Sequence, residues 1–220
     1  MQPMDDPIRN HPTRAEQLDI MAGAIADLAA PGDRVLDLGC GTGYFIDLLA
    51  LKRTDLRVTG VDLGQPALDV ARARFGVAGY DWVQGDLSAP ATLALPHPAY
   101  RFVTSALVFH DLSDDQKQAL IGRVAGLLEP GGFFLLYDRL RLDAAELFPL
   151  QTTIWRRLER VHGAGMRGAD DFPSYLRDLG DKNLPARLVD YQAWFAAAGL
   201  SHAVLHLHGN VALMAGSARG

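Results

Sequence analysis

The stretch VLDLGCGTGYF, Val35 to Phe45, limits the fold more than any other part of the chain. An apolar run breaks into glycines at 39, 41 and 43 and then turns apolar again. Glycine tolerates a left-handed backbone and lets another group pass close to the chain, so alternate glycines mark a tight turn or a close approach. The apolar residues before the turn read as a short buried strand, and Phe45, Leu48 and Leu49 after it as one side of a helix. A strand, a glycine turn and a helix begin a βα unit, and repeated units of that kind build a parallel sheet.

The rest of the chain keeps that rhythm. Thr13 with Glu16 forms a capping-box pattern, and Leu18, Met21, Ile25 and Leu28 recur at helical spacing, which predicts a helix over about 14–29. LRVTGVD is a second strand, QPALDVARARF a helix with Pro66 in its first turn, YDWVQGD a third strand and YRFVTSALVF a fourth. Ser113 with Gln116 caps a further helix, which PGG ends, and FFLLYD is a fifth strand. The alternation then stops. Residues 139–187 hold helical segments without strands between them. A helix, RLVDYQAWFAAAGL, and two strands joined at Gly209-Asn210 close the chain as an antiparallel hairpin, with AGSARG as a fraying tail. The expected fold is α/β: a doubly wound, mostly parallel seven-stranded sheet with a C-terminal antiparallel hairpin and a helical lid insertion. It forms one domain, made of an N-terminal helical cap (1–32), a ligand-binding core (33–138), the insertion (139–187) and the closing helix and hairpin (188–216).

Composition narrows the function classes. A net charge of −5 argues against a large nucleic-acid footprint, which needs clustered Lys and Arg. The single cysteine, Cys40, excludes an intramolecular disulfide and fits a cytoplasmic setting. No apolar run reaches the length of a membrane span, and the first residues lack a secretory pattern, so no membrane partner is expected.

In a doubly wound sheet the ligand lies beyond the carboxyl ends of the strands, where the glycine loop falls. A dinucleotide fingerprint would read G-x-G-x-x-G, whereas G-C-G-T-G brings the third glycine one residue early. Asp62 ends the second strand about 20 residues past the loop, where a carboxylate can accept from ribose hydroxyls. Asp86 ends the third strand, where it can accept from an adenine amino group while the Leu87 amide donates to the ring. The loop offers no cationic cradle for a pyrophosphate.

VLDLGCGTGYF, VTGVDLG, VQGDL and LLEPGGFFLLYD, in this order, resemble the successive motifs of the class I S-adenosyl-L-methionine-dependent methyltransferases, over about residues 33–138 and 188–216. The resemblance implies that Gly39, Gly41 and Gly43 pass the methionine portion of the cofactor, that Asp37 orders the loop and the amino group, and that Asp62 with Leu63 holds the ribose. By the same resemblance Asp86 and Leu87 hold the adenine, and the end of the fourth strand, SALVFHDL, faces the transfer site. That end lacks the Asn-Pro-Pro-Tyr and Pro-Cys motifs of relatives that methylate base or amide nitrogens and cytosine carbon, which points to a small-molecule acceptor. His110 is the candidate general base, with packing under the adenine as the alternative. Asp111 reads as a turn residue, and Asp138 is a further acidic candidate.

Phe148, Trp155, Phe172 and Tyr175 either shape an acceptor pocket or pack the lid. Arg156, Arg157, Arg160 and Arg167 either grip an anionic acceptor or form a solvated face. His202, His206 and His208 alternate on a strand and so share one face, a weak metal pattern without Cys or carboxylate support. Arg14 is placed to reach the methionine carboxylate, and Cys40 reads as a packing residue rather than a nucleophile. Two other functions stay open. One is a carboxy-S-adenosylmethionine-synthase-like enzyme that alters the cofactor for tRNA modification, and the other is a non-catalytic module that binds the cofactor. The acceptor, the atom methylated and the oligomeric state, a homodimer among the possibilities, are not set by the sequence.

Overall fold

Seven strands form one sheet in the computed structural model, which describes residues 12–76, 78–163, 169–180 and 183–218. In chain order they are β1 (Arg34–Leu38), β2 (Arg57–Asp62), β3 (Tyr80–Gln84), β4 (Tyr100–Ala106), β5 (Leu128–Arg139), β6 (Leu200–His208) and β7 (Val211–Ala218). In space the order is β3-β2-β1-β4-β5-β7-β6. The first five pair in parallel; β7 runs antiparallel between β5 and β6. The order reverses between β1 and β4, so their carboxyl ends face the switch point.

Side chains alternate across each strand, and both faces of the sheet are covered. Val35, Val58, Phe102, Leu135 and Leu213 pack on one face against α1 (Pro12–Leu28), α2 (Tyr44–Ala50) and α3 (Gln65–Phe75). Leu36, Leu38, Val103, Phe134 and Leu136 pack on the other against α4 (Asp114–Ala125) and α7 (Leu188–Ala197). Central strands covered on both faces need apolar residues throughout, which is why they read as continuous apolar runs. Burying each such side chain is worth about 1.5–3 kcal/mol, so the sheet centre is a rigid base for the site.

Several local expectations hold. Ser113 and Gln116 form the capping box of α4, Pro66 lies in the first turn of α3, and Gly209-Asn210 turns the hairpin. Others change. The helix at the N-terminus already includes Pro12, so Thr13 lies inside its first turn rather than at its cap. β4 stops at Ala106 because Leu107 turns to φ 59 and donates its amide to Tyr137 O at 2.8 Å; Phe109–Asp111 then form a short 3-10 turn. PGG does not end a helix: α4 ends at Ala125 and the three residues lie inside β5, beside the register shift between Tyr100 and Phe102. AGSA is strand as far as Ala218, with Ser217 opposite Phe133. The insertion folds into a 3-10 turn, α5 (Phe148–His162) and α6 (Phe172–Asp178).

Candidate functional site

The glycine loop is held left-handed at each glycine, with φ of 75° at Gly39, 53° at Gly41 and 83° at Gly43. Gly39 and Cys40 both donate their amides to Val61 O, at 2.8 and 3.0 Å, which ties the loop to β2. A Cβ on Gly39 would overlap the Val108 side chain, and one on Gly43 would come within 2.6 Å of Phe75. At Gly41 nothing lies within 4 Å. Protein packing therefore accounts for two of the glycines, and Gly41 alone opens onto free space.

One carboxylate borders that opening, and two more lie at or just beyond the ends of the neighbouring strands. Asp62, at the end of β2, accepts from Gly41 N through Oδ2 and from Gly64 N through Oδ1, both at 2.8 Å. Each oxygen keeps a lone pair, so hydroxyl groups can still be bound there. Asp37, near the end of β1, is fully buried and accepts from Thr104 Oγ1 at 2.8 Å. Burial pushes its carboxyl up to about 7; the Thr104 hydrogen bond opposes the rise and the nearby Asp62 charge adds to it. Asp86 is exposed after β3, and hydrogen bonds from Ser88 hold its carboxyl below the usual range. Leu63 stands 64% exposed next to Asp62, an apolar side chain with nothing to cover it, whereas Leu87 is buried in the core. Burial, with the charges of Asp37 and Asp62, pushes the Cys40 thiol well up, so it stays protonated and packs.

The donor set suits a nucleoside joined to an amino acid. Carboxylates end three successive strands, a free apolar surface lies beside one of them, and residues 35–51 contain no Lys or Arg to neutralise a phosphate.

Across the switch point, His110 Nδ1 lies 2.5 Å from Asp138 Oδ1 at the end of β5. Asp138 is fully buried, and the same oxygen accepts from Arg139 N at 2.7 Å. With Nδ1–H donated to Asp138, the lone pair of His110 is on Nε2. Nε2 lies 3.7 Å from Asp111 Oδ1, beyond hydrogen-bond range, and Asp111 is an exposed turn residue. Tyr191, on α7, lies beside Asp138, whose charge, after burial, raises its phenol well above the ordinary value; its hydroxyl and Asp138 Oδ2 are buried without a well-aligned hydrogen bond. A buried lysine fixes the segment from behind. Lys117 Nζ donates to Leu112 O at 2.7 Å, Asp114 Oδ1 at 2.8 Å and Leu184 O at 2.6 Å, while Leu184 N donates to His110 O at 2.6 Å.

The pairing of His110 with Asp138, and the supporting parts played by Thr104, Lys117 and Tyr191, are absent from the sequence reading. No local pattern joins residues on different strands and helices. A Thr within a buried strand and a Lys at a core position of an amphipathic helix are the only hints.

The remaining candidates separate. Phe148, Trp155 and Tyr175 are buried together, with Phe172 against them, as a small core of the insertion itself. Arg156, Arg157 and Arg160 are exposed on α5, and Arg167 lies outside the described residues. The histidines do not share a face. The register skips Leu205, so Val204 sits opposite Met214 and His206 opposite Leu213. His202 therefore stacks on Phe195, 6.1 Å between ring centroids, and His206 and His208 lie together on the other face. Among the described residues no group of three His, Cys, Asp or Glu could hold a metal. Arg14 lies close enough to Tyr137, at the end of β5, to affect its titration.

A sheet of this order, with acidic residues at successive strand ends and a glycine loop that offers no phosphate cradle, is the arrangement expected of a class I S-adenosyl-L-methionine-dependent methyltransferase. Residues 35–132 match the family described as the methyltransferase domain. A fatty-acid O-methyltransferase of Mycolicibacterium smegmatis is 31% identical over 167 residues, covering 73% of this chain and 58% of that protein. The chain thus matches little more than half the length of that relative. A carboxy-S-adenosyl-L-methionine synthase of Stutzerimonas stutzeri is 28% identical over 71% of this chain and 64% of its own. Magnesium protoporphyrin IX methyltransferase of Synechocystis, solved with S-adenosylhomocysteine bound, shares the fold at a TM-score of 0.65 and 18% identity, over 96% of this chain and 86% of that one.

Proposed function

We propose that this methyltransferase transfers a methyl group to a small-molecule acceptor by in-line displacement, with His110 as general base. The observation that carries the reading is the buried His110–Asp138 pair. Asp138 lies at the end of β5, and His110 lies beyond the end of β4, two residues after Val108, whose side chain packs against Gly39 of the glycine loop. S-adenosyl-L-methionine, when bound, supplies a methyl already activated on a sulfonium. What remains for the chain is to bind, align and exclude water, and alignment alone can be worth about 7–11 kcal/mol.

In this reading Asp62 accepts from the ribose hydroxyls, Asp86 and the Leu87 amide take the adenine edge, and Leu63 covers a face of the ring. Asp37, ionised, holds the ammonium of the methionine portion. His110, oriented by Asp138, accepts at Nε2 the proton that a hydroxyl or carboxylic acceptor gives up. The cytoplasm is the proposed compartment.

Calorimetric titration with S-adenosylmethionine, S-adenosylhomocysteine and NAD tests the cofactor site. Binding of the first two and not the third is expected. Labelled-methyl transfer to a panel of hydroxylated and carboxylated acceptors then tests the acceptor class, and His110→Ala should lower turnover while leaving cofactor affinity nearly intact. Alteration of the cofactor itself is the second reading, favoured by the similarity to the carboxy-S-adenosylmethionine synthase and by Arg14 near Tyr137. Arg14→Ala with unchanged activity would remove it.

A further inference from the structure

We propose that the outer face of α5 docks the enzyme onto an anionic lipid surface, from which a lipophilic acceptor is drawn. The purpose of the docking rests on the methyltransferase reading; the docking itself does not.

α5 has one face committed to the protein, through Phe148, Gln151, Thr152, Trp155 and Leu158. A second apolar stripe runs beside it in solvent. Leu150 is 66%, Ile154 40% and Val161 59% exposed, and Leu147, just before the helix, is 57% exposed. At 3.6 residues per turn Leu150, Ile154 and Val161 fall within about 40° of one line along the helix. Scattered exposed apolar residues need no explanation, but a stripe at helical spacing, separate from the face already buried, does. The stripe reaches the tip of the hairpin, where a Cβ on Gly209 would lie 3.9 Å from Ile154.

Charge names the occupant. On the side of the stripe away from the buried face stand Arg157 and Arg160, with Arg156 further round the helix, one turn from the buried Thr152, all exposed. None of the three forms an ion pair among the described residues, although the chain as a whole carries −5. Glu146, before the helix, is the acidic neighbour of the stripe and is outnumbered. An apolar strip bordered by arginines on an otherwise acidic protein is the pattern of a helix lying in a membrane interface, with its apolar side among acyl chains and its cations at the headgroups. An acidic protein surface would match the arginines but leave the stripe uncovered. A peripheral contact of this kind needs no spanning helix, and none of the described helices is long and apolar enough to span. The expectation of no membrane partner, drawn from the lack of a span, does not reach a surface helix.

The test is flotation of the full chain with vesicles of phosphatidylcholine alone and of phosphatidylcholine with one-third phosphatidylglycerol. Binding to the second and at least tenfold less to the first is expected. Each arginine near such a surface contributes a factor of about five, so R157E/R160E should remove the preference for anionic vesicles. L150E/I154E should cut binding to them at least tenfold. Both variants should keep wild-type affinity for S-adenosylmethionine by calorimetry, which shows that they fold and keeps failure here distinct from failure of the cofactor site. The proposal is overturned if wild-type protein ignores anionic vesicles, if both variants bind them as well as wild type, or if light scattering finds a dimer that L150E/I154E dissociates while vesicles are not bound.

Discussion

Asp37→Asn separates the cost of the cofactor site from its use. In the free protein Asp37 is fully buried, its carboxyl pushed up to about 7 chiefly by that burial. The unfolded chain loses this proton near pH 4. Between about pH 4 and 7 the folded state holds a proton that the unfolded state has lost, so stability falls as pH rises through that window. With a folded value of about 7, the Asp37 contribution is roughly 2.5 kcal/mol less favourable at pH 8 than at pH 5. Asn has the same shape, can keep the Thr104 hydrogen bond and carries no charge. Asp37→Asn should therefore stabilise the free protein at pH 8 relative to wild type, by about 2.5 kcal/mol more than at pH 5. For a chain of this size that is about 5–10 °C in melting temperature. Thermal and urea unfolding of both proteins at the two pH values measures it, and the comparison cancels every group except Asp37. The same change should weaken S-adenosylmethionine and flatten the rise in its affinity through pH 7 that is expected of wild type. Equal effects of the substitution at pH 5 and pH 8 would refute the argument, because the carboxyl would then not be titrating in that window.

Asp62→Ala removes the acceptor of both Gly41 N and Gly64 N, so it should lower stability by about 1–3 kcal/mol and abolish measurable cofactor binding; unchanged affinity by calorimetry would remove Asp62 from the site. Gly41→Ala meets no atom and should cost only the left-handed backbone, about 1–2 kcal/mol, while greatly weakening the cofactor. Gly39→Ala adds the overlap with Val108 and should cost about 1–3 kcal/mol more in denaturant unfolding. Equal stability of the two alanine variants would contradict the packing. Asp138→Asn should lower turnover as His110→Ala does, with cofactor affinity kept in both; if affinity falls in step with turnover, the pair is structural.

Much of the molecule follows from local pattern. The strand-and-helix alternation, the capping box at Ser113, the Gly209-Asn210 turn and the acidic ends of β2 and β3 need only periodicity and turn chemistry, which depend on neighbours in the chain. Where local pattern misled, a contact distant in sequence decided. PGG reads as a helix stop, yet the helix has already ended at Ala125 and the three residues lie inside β5, in the stretch that the β4 register skips. Three alternating histidines read as one face, yet a bulge at Leu205 turns two of them over.

The sequence by itself determined the order of the βα units, the glycine loop and which carboxylates end the strands, because those are properties of short stretches. Only the tertiary structure decided that Asp37 is buried in the free protein with Thr104 as its partner, that Gly41 alone of the three loop glycines opens onto space, and that His110 meets Asp138. Those depend on which strands lie side by side. Strand order comes from burying both faces of the sheet at once, a condition on the whole chain that no single segment carries.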